Sequence, residues 1–366
     1  MIDTQNVLDY TGNASKTFWI AGLDDMSVTL KKIAERVGKS VTTVSRALAG
    51  YDDVSQATRE QVRQVALELG YEPNIIARQL QKQRTDTLAL VLPTYGPRFS
   101  DPFFSEFLTG VGNEATRHGF DLLVSTRAPG DEEEAAYLKN IRSRRVEGFI
   151  LVRTRRQDRR ISILQEHHFP FAVFGRTEAR NDFPLVDEDS EFGISLVVEH
   201  LVKLGHRRLA CIAAPSNLML AHYRLQGFLS ALQKHGLPVE PDLIIAGDLT
   251  QQSGRVVGGQ LLDLPRPPTA IVACNDLMAL GAMSAAQERG LVVGRDISIT
   301  GFDDIPPAEH AHPPLTTLNQ PVYQIGTIVC EMLVKVISGQ EISKPQLILQ
   351  PSLVVRQSTG PPIHSD

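Results

Sequence analysis

Between residues 28 and 70 apolar positions recur with a helical period, and polar residues and glycines cut that pattern into three short pieces. Leu30, Ile33, Ala34 and Val37 fall at i, i+3, i+4 and i+7, the stripe that a helix buries. Thr29 stands where an N-cap belongs and Gly38 where the helix must stop. Ser40 caps a second helix whose Val44 and Leu48 face inward, leaving Val41, Thr42, Ser45 and Arg46 on the outer face. After a polar loop, Ser55 caps a third helix with Val62, Val65, Ala66 and Leu69 as its stripe and Gly70 as its end. Two helices around a Gly turn, with small polar or basic residues early in the second, predict a helix-turn-helix DNA reader; the segment alone also fits an ordinary αα-hairpin. Pro73 then breaks the chain, Asn74 can cap, and only about two helical turns follow. A helix that short is expected to form only against a partner, such as DNA or a symmetry-related copy.

From Thr87 onward the period changes. Short apolar runs at 88–92, 121–125, 148–152, 172–175, 209–213, 243–246, 270–274 and 297–301 read as buried parallel strands. Helix-length segments separate most of them, at 102–118, 131–144, 190–204, 221–236, 276–290 and 321–338. Alternating β and α with near-continuous apolar strands predicts an α/β fold with parallel, doubly wound sheets covered on both faces. So many strands suggest two such sheets facing each other across a cleft. Ligands in these folds bind beyond the carboxyl ends of strands, which singles out Arg176, Asp248, Asn275, Asp276, Asp303 and Asp304.

Charge sharpens the division. Residues 27–84 carry ten Lys or Arg against six acids, a surplus of four in a chain whose net charge is −5. The positive charge sits on the DNA reader, as phosphate neutralisation requires. At 366 residues and 42% hydrophobic content there is room for two or three compact units. Cys211, Cys274 and Cys330 are far apart, which fits a reducing cytoplasm. No run reaches transmembrane length and no signal peptide is visible. Met26 directly precedes the first helix, so residues 1–26 are expected to be a disordered leader or a mis-called start.

Other features point to little. Gly110-Val-Gly112 lacks a third glycine and does not follow a strand, which argues against a dinucleotide site. His310-Ala-His312 and His167-His168 lack a third ligand at metal spacing. Asp131-Glu-Glu-Glu134 opens a helix, where acids favour the dipole, and reads as a solvated face. No nucleophile–base motif appears, so neither cofactor nor metal is expected. An enzyme on an α/β fold and a sugar-transport protein are the other classes to weigh. The first lacks a catalytic constellation; the second is opposed by the basic N-terminal unit and the missing signal peptide.

The pieces together resemble the lactose- and galactose-repressor (LacI/GalR) family of bacterial transcription regulators. The resemblance rests on Val28-Thr-Leu with Val44-Ser-Arg-Ala-Leu48, Val54-Ser, Thr58-Arg59, Gly70-Tyr-Glu-Pro-Asn74 and 77–80. It continues through Asp101-Pro-Phe-Phe104, Leu204-Gly-His-Arg207, Arg224-Leu-Gln-Gly-Phe228, Asn275-Asp-Leu-Met-Ala279, Gly301-Phe-Asp-Asp304 and Pro313-Pro-Leu-Thr-Thr317. These cover residues 28 to about 356 in the family's order.

The resemblance implies a small all-α headpiece at 27–72, a hinge helix and linker at 73–85, and a two-lobed domain like periplasmic binding proteins at 86–358. Its N-lobe would comprise 86–187 and 321–349, its C-lobe 188–320 and 350–358, with crossovers near 186–190, 318–322 and 348–352 and a tail at 359–366. Val41 and Thr42 match the specificity positions of the recognition helix and Arg46 its base-reading arginine. Ser40, Thr43 and Ser45 would meet phosphates. Asn74, Ala77 and Leu80 belong to the hinge helix, with Leu80 as the minor-groove wedge. Arg224, Asn275 and Asp303 match the polar clamp on an effector, Arg176 lies beside it, and Phe103 and Phe104 would supply an aromatic face. Gly175 stands where the family often has an acid, and Leu249 and Val322 where it often has aromatics. No leucine heptad follows Ser352. The implied partners are double-stranded operator DNA, a small-molecule effector (a sugar or glycoside), and a second copy in a homodimer, with no membrane. The sequence leaves open a non-sugar effector or co-repressor, and an activator in place of a repressor.

Overall fold

The computed structural model describes residues 29–71, 84–94, 101–179 and 182–363. The chain divides into two compact units, Met1–Arg84 and Thr85–Asp366. In the first unit helices α1 (Leu30–Val37), α2 (Val41–Leu48) and α3 (Gln56–Glu68) close on one small core, with Ile33, Val44, Ala47 and Val62 fully buried. Burial of all three apolar stripes is what holds helices this short. Ser40 and Ser55 accept the backbone N–H of Thr43 (3.1 Å) and Thr58 (3.3 Å), so α2 and α3 are capped as expected. Thr29 occupies the N-cap position of α1, but its hydroxyl makes no capping bond. The leader (1–26) and the short hinge helix with Asn74, Ala77 and Leu80 fall outside the described residues.

The second unit holds two lobes. Strands β1 (Thr87–Pro93), β2 (Asp121–Arg127), β3 (Gly148–Leu151), β4 (Phe171–Phe174), β5 (Leu185–Glu188) and β11 (Gln346–Leu349) form one parallel sheet in the order β11-β5-β4-β3-β1-β2. Strands β6 (Leu209–Ala213), β7 (Ile244–Ala246), β8 (Ala270–Ala273) and β9 (Ser298–Thr300) form the other, in the order β7-β6-β8-β9. A short antiparallel ladder, β10 (Thr317–Asn319) with β12 (Ser352–Val354), adds to the second lobe through the bridge Thr300↔Thr316. Helices α4 (Phe103–Arg117), α5 (Asp131–Arg142), α6 (Arg159–Glu166) and α12 (Val322–Ile337) cover the first sheet. Helices α7 (Ser190–Lys203), α8 (Met219–Lys234), α9 (Gln251–Leu262) and α10 (Asp276–Glu288) cover the second, with the short α11 (Pro306–Glu309) beyond β9. The chain passes between lobes at 189, between 319 and 322, and between 349 and 352.

The apolar runs do not mark β5, β10, β11 and β12, nor does the helical period mark α6, α9 and α11. Residues 359 and 360, assigned above to a tail, are tied into the second lobe. His200 Nε2 meets Thr359 Oγ1 at 3.0 Å, and the buried His206 meets the Gly360 carbonyl at 2.8 Å. A buried imidazole needs polar partners, and the chain end supplies one. Among the described residues no helix is long and apolar enough to cross a membrane.

Candidate functional site

Parallel strands place their carboxyl ends along one edge of each sheet, and the loops leaving those ends meet across the interlobe cleft. Asp101 and Phe103 follow β1, Arg153 and Thr154 follow β3, Gly175 follows β4, and Asp187 and Glu188 end β5. From the other lobe come Tyr223 and Arg224 on α8, Leu249 after β7, Asn275 after β8 and Asp303 after β9, with Gln320 at a crossover. Together they line an empty volume of about 620 Å³, partly open to solvent.

Among the described residues, Arg153 and Arg224 in the lining, Arg176 behind it and four carboxylates organise this cleft. Arg224 is buried and spends every nitrogen: NH2 on Glu188 (3.0 Å), NH1 on the Cys274 carbonyl (2.5 Å) with Asp303 at 3.7 Å, and Nε on Ser190 Oγ (3.4 Å). Its plane lies 3.6 Å from the Phe302 ring centre. Arg153 donates to Asp101 at 2.5 Å, and Arg176 to Asp187 at 2.7 Å while stacking on Tyr223. Burial pushes the Asp187 carboxyl well above its ordinary range, and the adjacent Glu188 adds to the rise. Burial does the same to Asp303, and the pull of Arg224 does not cancel it. Burial also raises Asp101 against the opposing charge of Arg153. Glu188 lies below its ordinary range, because Arg224 and its hydrogen bonds outweigh burial. Asp303 adopts φ 123°, a strained conformation for a non-glycine residue, of the kind stored at functional sites. Gln320 donates to Asp303 at 2.6 Å, and its carbonyl oxygen is buried without a partner.

The structure brings together Arg224, Asn275, Asp303 and Phe103 of the residues singled out above, and it modifies four readings. Phe104 does not face the cleft: it packs edge-on beneath Phe103, with Arg153 4.9 Å over its ring. Arg176 sits behind Tyr223 and not at the cleft surface. Asn275 caps α10, accepting the Met278 N–H and donating to the Leu249 carbonyl, so one amide hydrogen remains for other work. Glu133, read as part of a solvated acidic face, is fully buried; Arg155 (2.5 Å) and the buried Arg160 (3.3 Å) neutralise it. Asp101 lies in a motif of the resemblance but carries no site role there, and no local pattern marks Arg153, Asp187, Glu188 and Gln320 as site residues. Gly175 has a physical reason for its identity: at φ 120° an added Cβ would lie 2.4 Å from Thr154 Oγ1.

A backbone strap closes one side of the cleft. The Arg156 N–H donates to the Asn217 carbonyl and the Met219 N–H to the Thr154 carbonyl, both at 2.9 Å, around an antiparallel bridge between Arg155 and Leu218. The first-lobe half of this strap is anchored by Arg160, which binds Asp158 (2.7 Å) and the Arg153 carbonyl (3.1 Å).

In the first unit Val41, Thr42 and Arg46 are exposed on α2, and Thr43 and Ser45 are half-buried. Arg46 is engaged by Asp53, at 2.5 Å and 3.2 Å, and lies over the Tyr51 ring.

Comparison with known proteins places both units. Residues 29–74 match the model for bacterial regulatory proteins of the lacI family, and residues 198–359 that for a periplasmic binding protein-like domain. The chain is 36% identical over 336 residues to the HTH-type transcriptional repressor CytR of Escherichia coli K12, covering 92% of this chain and 97% of that one. It is equally identical over 335 residues to the HTH-type transcriptional regulator CelR of Thermobifida fusca, covering 90% and 98%. The lac repressor dimer bound to operator and the anti-inducer ONPF aligns with TM-score 0.80 at 32% identity, covering 91% and 99%. A CelR–cellobiose complex aligns with TM-score 0.71 at 34% identity, covering 90% and 99%.

Proposed function

This chain belongs to the lacI family of bacterial regulatory proteins and is a sequence-specific DNA-binding transcriptional regulator, not an enzyme, and on that premise we propose that it is a homodimeric repressor of carbohydrate genes whose cleft takes a sugar or glycoside. The observation that carries the effector reading is the cleft itself. Buried Arg224 is held between Glu188 and Asp303 while the Gln320 carbonyl waits for a donor. Hydroxyls both donate and accept, so a polyhydroxylated ring matches such a lining. The complex of CelR with cellobiose supports a carbohydrate effector.

Val41, Thr42 and Arg46 would meet base edges, and Ser40, Thr43 and Ser45 phosphates. Asn74, Ala77 and Leu80 would enter the minor groove from a paired hinge. The operator would be a pseudo-palindrome read by two headpieces, in the bacterial cytoplasm. The effector would bind the closed lobes better than the open ones, and that differential affinity alone shifts the regulator off its operator. The test is a gel shift on DNA upstream of the gene, titrated with a sugar panel. One sugar should release the DNA from wild type, and Asp303→Asn and Gln320→Met should hold the operator within about twofold but ignore that sugar. Release of either variant at the wild-type sugar concentration would remove that residue from the site. Operator affinity indifferent to every sugar would end the sugar reading.

A further inference from the structure

We propose that Asp101 acts as an anion filter: by neutralising Arg153 it makes the cleft accept an uncharged hydroxylated ring and reject the phosphorylated or carboxylated form of that ring. This rests on the cleft being the effector site. Phosphate recognition needs a cation with donors to spare, usually an arginine fork presented to two oxygens. Among the described residues the cleft lining presents two arginines, Arg153 and Arg224. Each Arg224 nitrogen already donates, Nε to Ser190, Nη1 to the Cys274 carbonyl and Nη2 to Glu188, and Asp303 stands 3.7 Å away. Arg153 reaches the cleft, but its NH2 is held by Asp101 at 2.5 Å, with both side chains about one-seventh exposed. A third arginine, Arg176, is committed to Asp187 and the Glu188 carbonyl behind Tyr223. Each guanidinium thus already has a carboxylate partner: Asp101 for Arg153, Glu188 for Arg224 and Asp187 for Arg176. The Gln320 side-chain oxygen, the one buried side-chain polar atom of the cleft without a partner among the described residues, is an acceptor and asks for a hydroxyl or amide hydrogen.

Asp101→Asn tests this directly. Asn keeps the bond that Asp101 Oδ1 accepts from the Phe103 N–H (3.2 Å) but releases Arg153 from its counter-ion. Inorganic phosphate would be titrated into the full-length protein at constant ionic strength and followed by thermal unfolding and calorimetry. Wild type should show no cleft-dependent binding. Asp101→Asn should gain phosphate affinity by about tenfold or more, and the second change Arg153→Gln should abolish the gain. In parallel, glucose, galactose, ribose and cellobiose would be compared with glucose 6-phosphate, ribose 5-phosphate and glucuronate. The inference fails if wild type binds phosphate through Arg153, if Asp101→Asn gains nothing while remaining folded, or if a phosphorylated sugar binds as tightly as its neutral parent. The sugar reading fails separately, if no neutral sugar binds while the phosphate arm behaves as stated.

Discussion

Arg46 can serve one partner at a time. Asp53 occupies its Nε and NH2, the edge that a guanine would need for a bidentate pair. DNA must therefore displace an exposed ion pair, which is worth about 1 kcal/mol or less. Asp53→Asn should tighten operator binding by up to about fivefold, measured by fluorescence anisotropy at fixed salt. Weaker binding would instead make Asp53 a support that orients Arg46. Asp276 contributes to the acid response from outside the cleft lining. Asp276 is fully buried, accepts Thr317 Oγ1 at 2.5 Å and the Ile305 N–H at 2.9 Å, and burial pushes its carboxyl up to about 6. The folded chain then holds that proton where the unfolded chain releases it. The group favours folding below the ordinary carboxylate range, and this advantage is lost as pH rises toward 6. Asp276→Asn should flatten the urea stability profile between pH 4 and 7 by an amount on the order of 3 kcal/mol. An unchanged slope would contradict the raised carboxyl.

At the scale of elements, the strap joins the lobes by two backbone hydrogen bonds, and one of them can be removed alone. Met219 is the first residue of α8, a position whose N–H has no partner inside the helix, and here it donates across the cleft to Thr154. Leu218 before it is extended (φ −86°, ψ 140°), as a residue preceding proline must be. Met219→Pro should therefore preserve α8 yet remove the strap bond, weakening effector binding about fivefold beyond Met219→Ala, which removes only the side chain. Equal effects in calorimetry would show that the bond does not hold the lobes together in the bound state. In α9, α6 and β5 the local pattern is broken by residues whose place only the packing explains. In α9, Gly254 and Gly258 lower helix propensity, yet a Cβ at 254 would lie 2.2 Å from the Met278 carbonyl; close packing on α10 repays that loss. In α6 the buried Arg160 breaks the apolar stripe, and in β5 Asp187 and Glu188 break the apolar run. Charges in the interior are legible only with their partners in view.

For the whole molecule, effector and operator are linked. If a sugar weakens operator affinity by some factor, operator DNA must weaken sugar affinity by the same factor, commonly about 5- to 150-fold. Titrating the releasing sugar with and without saturating operator measures both, and unequal factors would mean that the two ligands do not act through one equilibrium. Periodicity, caps and charge were enough to determine the three-helix unit, its exposed α2 face, the alternating α/β unit and most of its strands. Those features depend on neighbours within a few turns of chain, so they are written locally. Arg224 and Asp303 could be named because they lie at motif positions. The pairing of Arg153 with Asp101 spans 52 residues and that of Arg224 with Glu188 spans 36. The burial of Glu133 and the Gln320 carbonyl likewise follows from which loops the two sheets bring face to face. Only the tertiary structure decides these, because a charge is satisfied by what lies beside it in space.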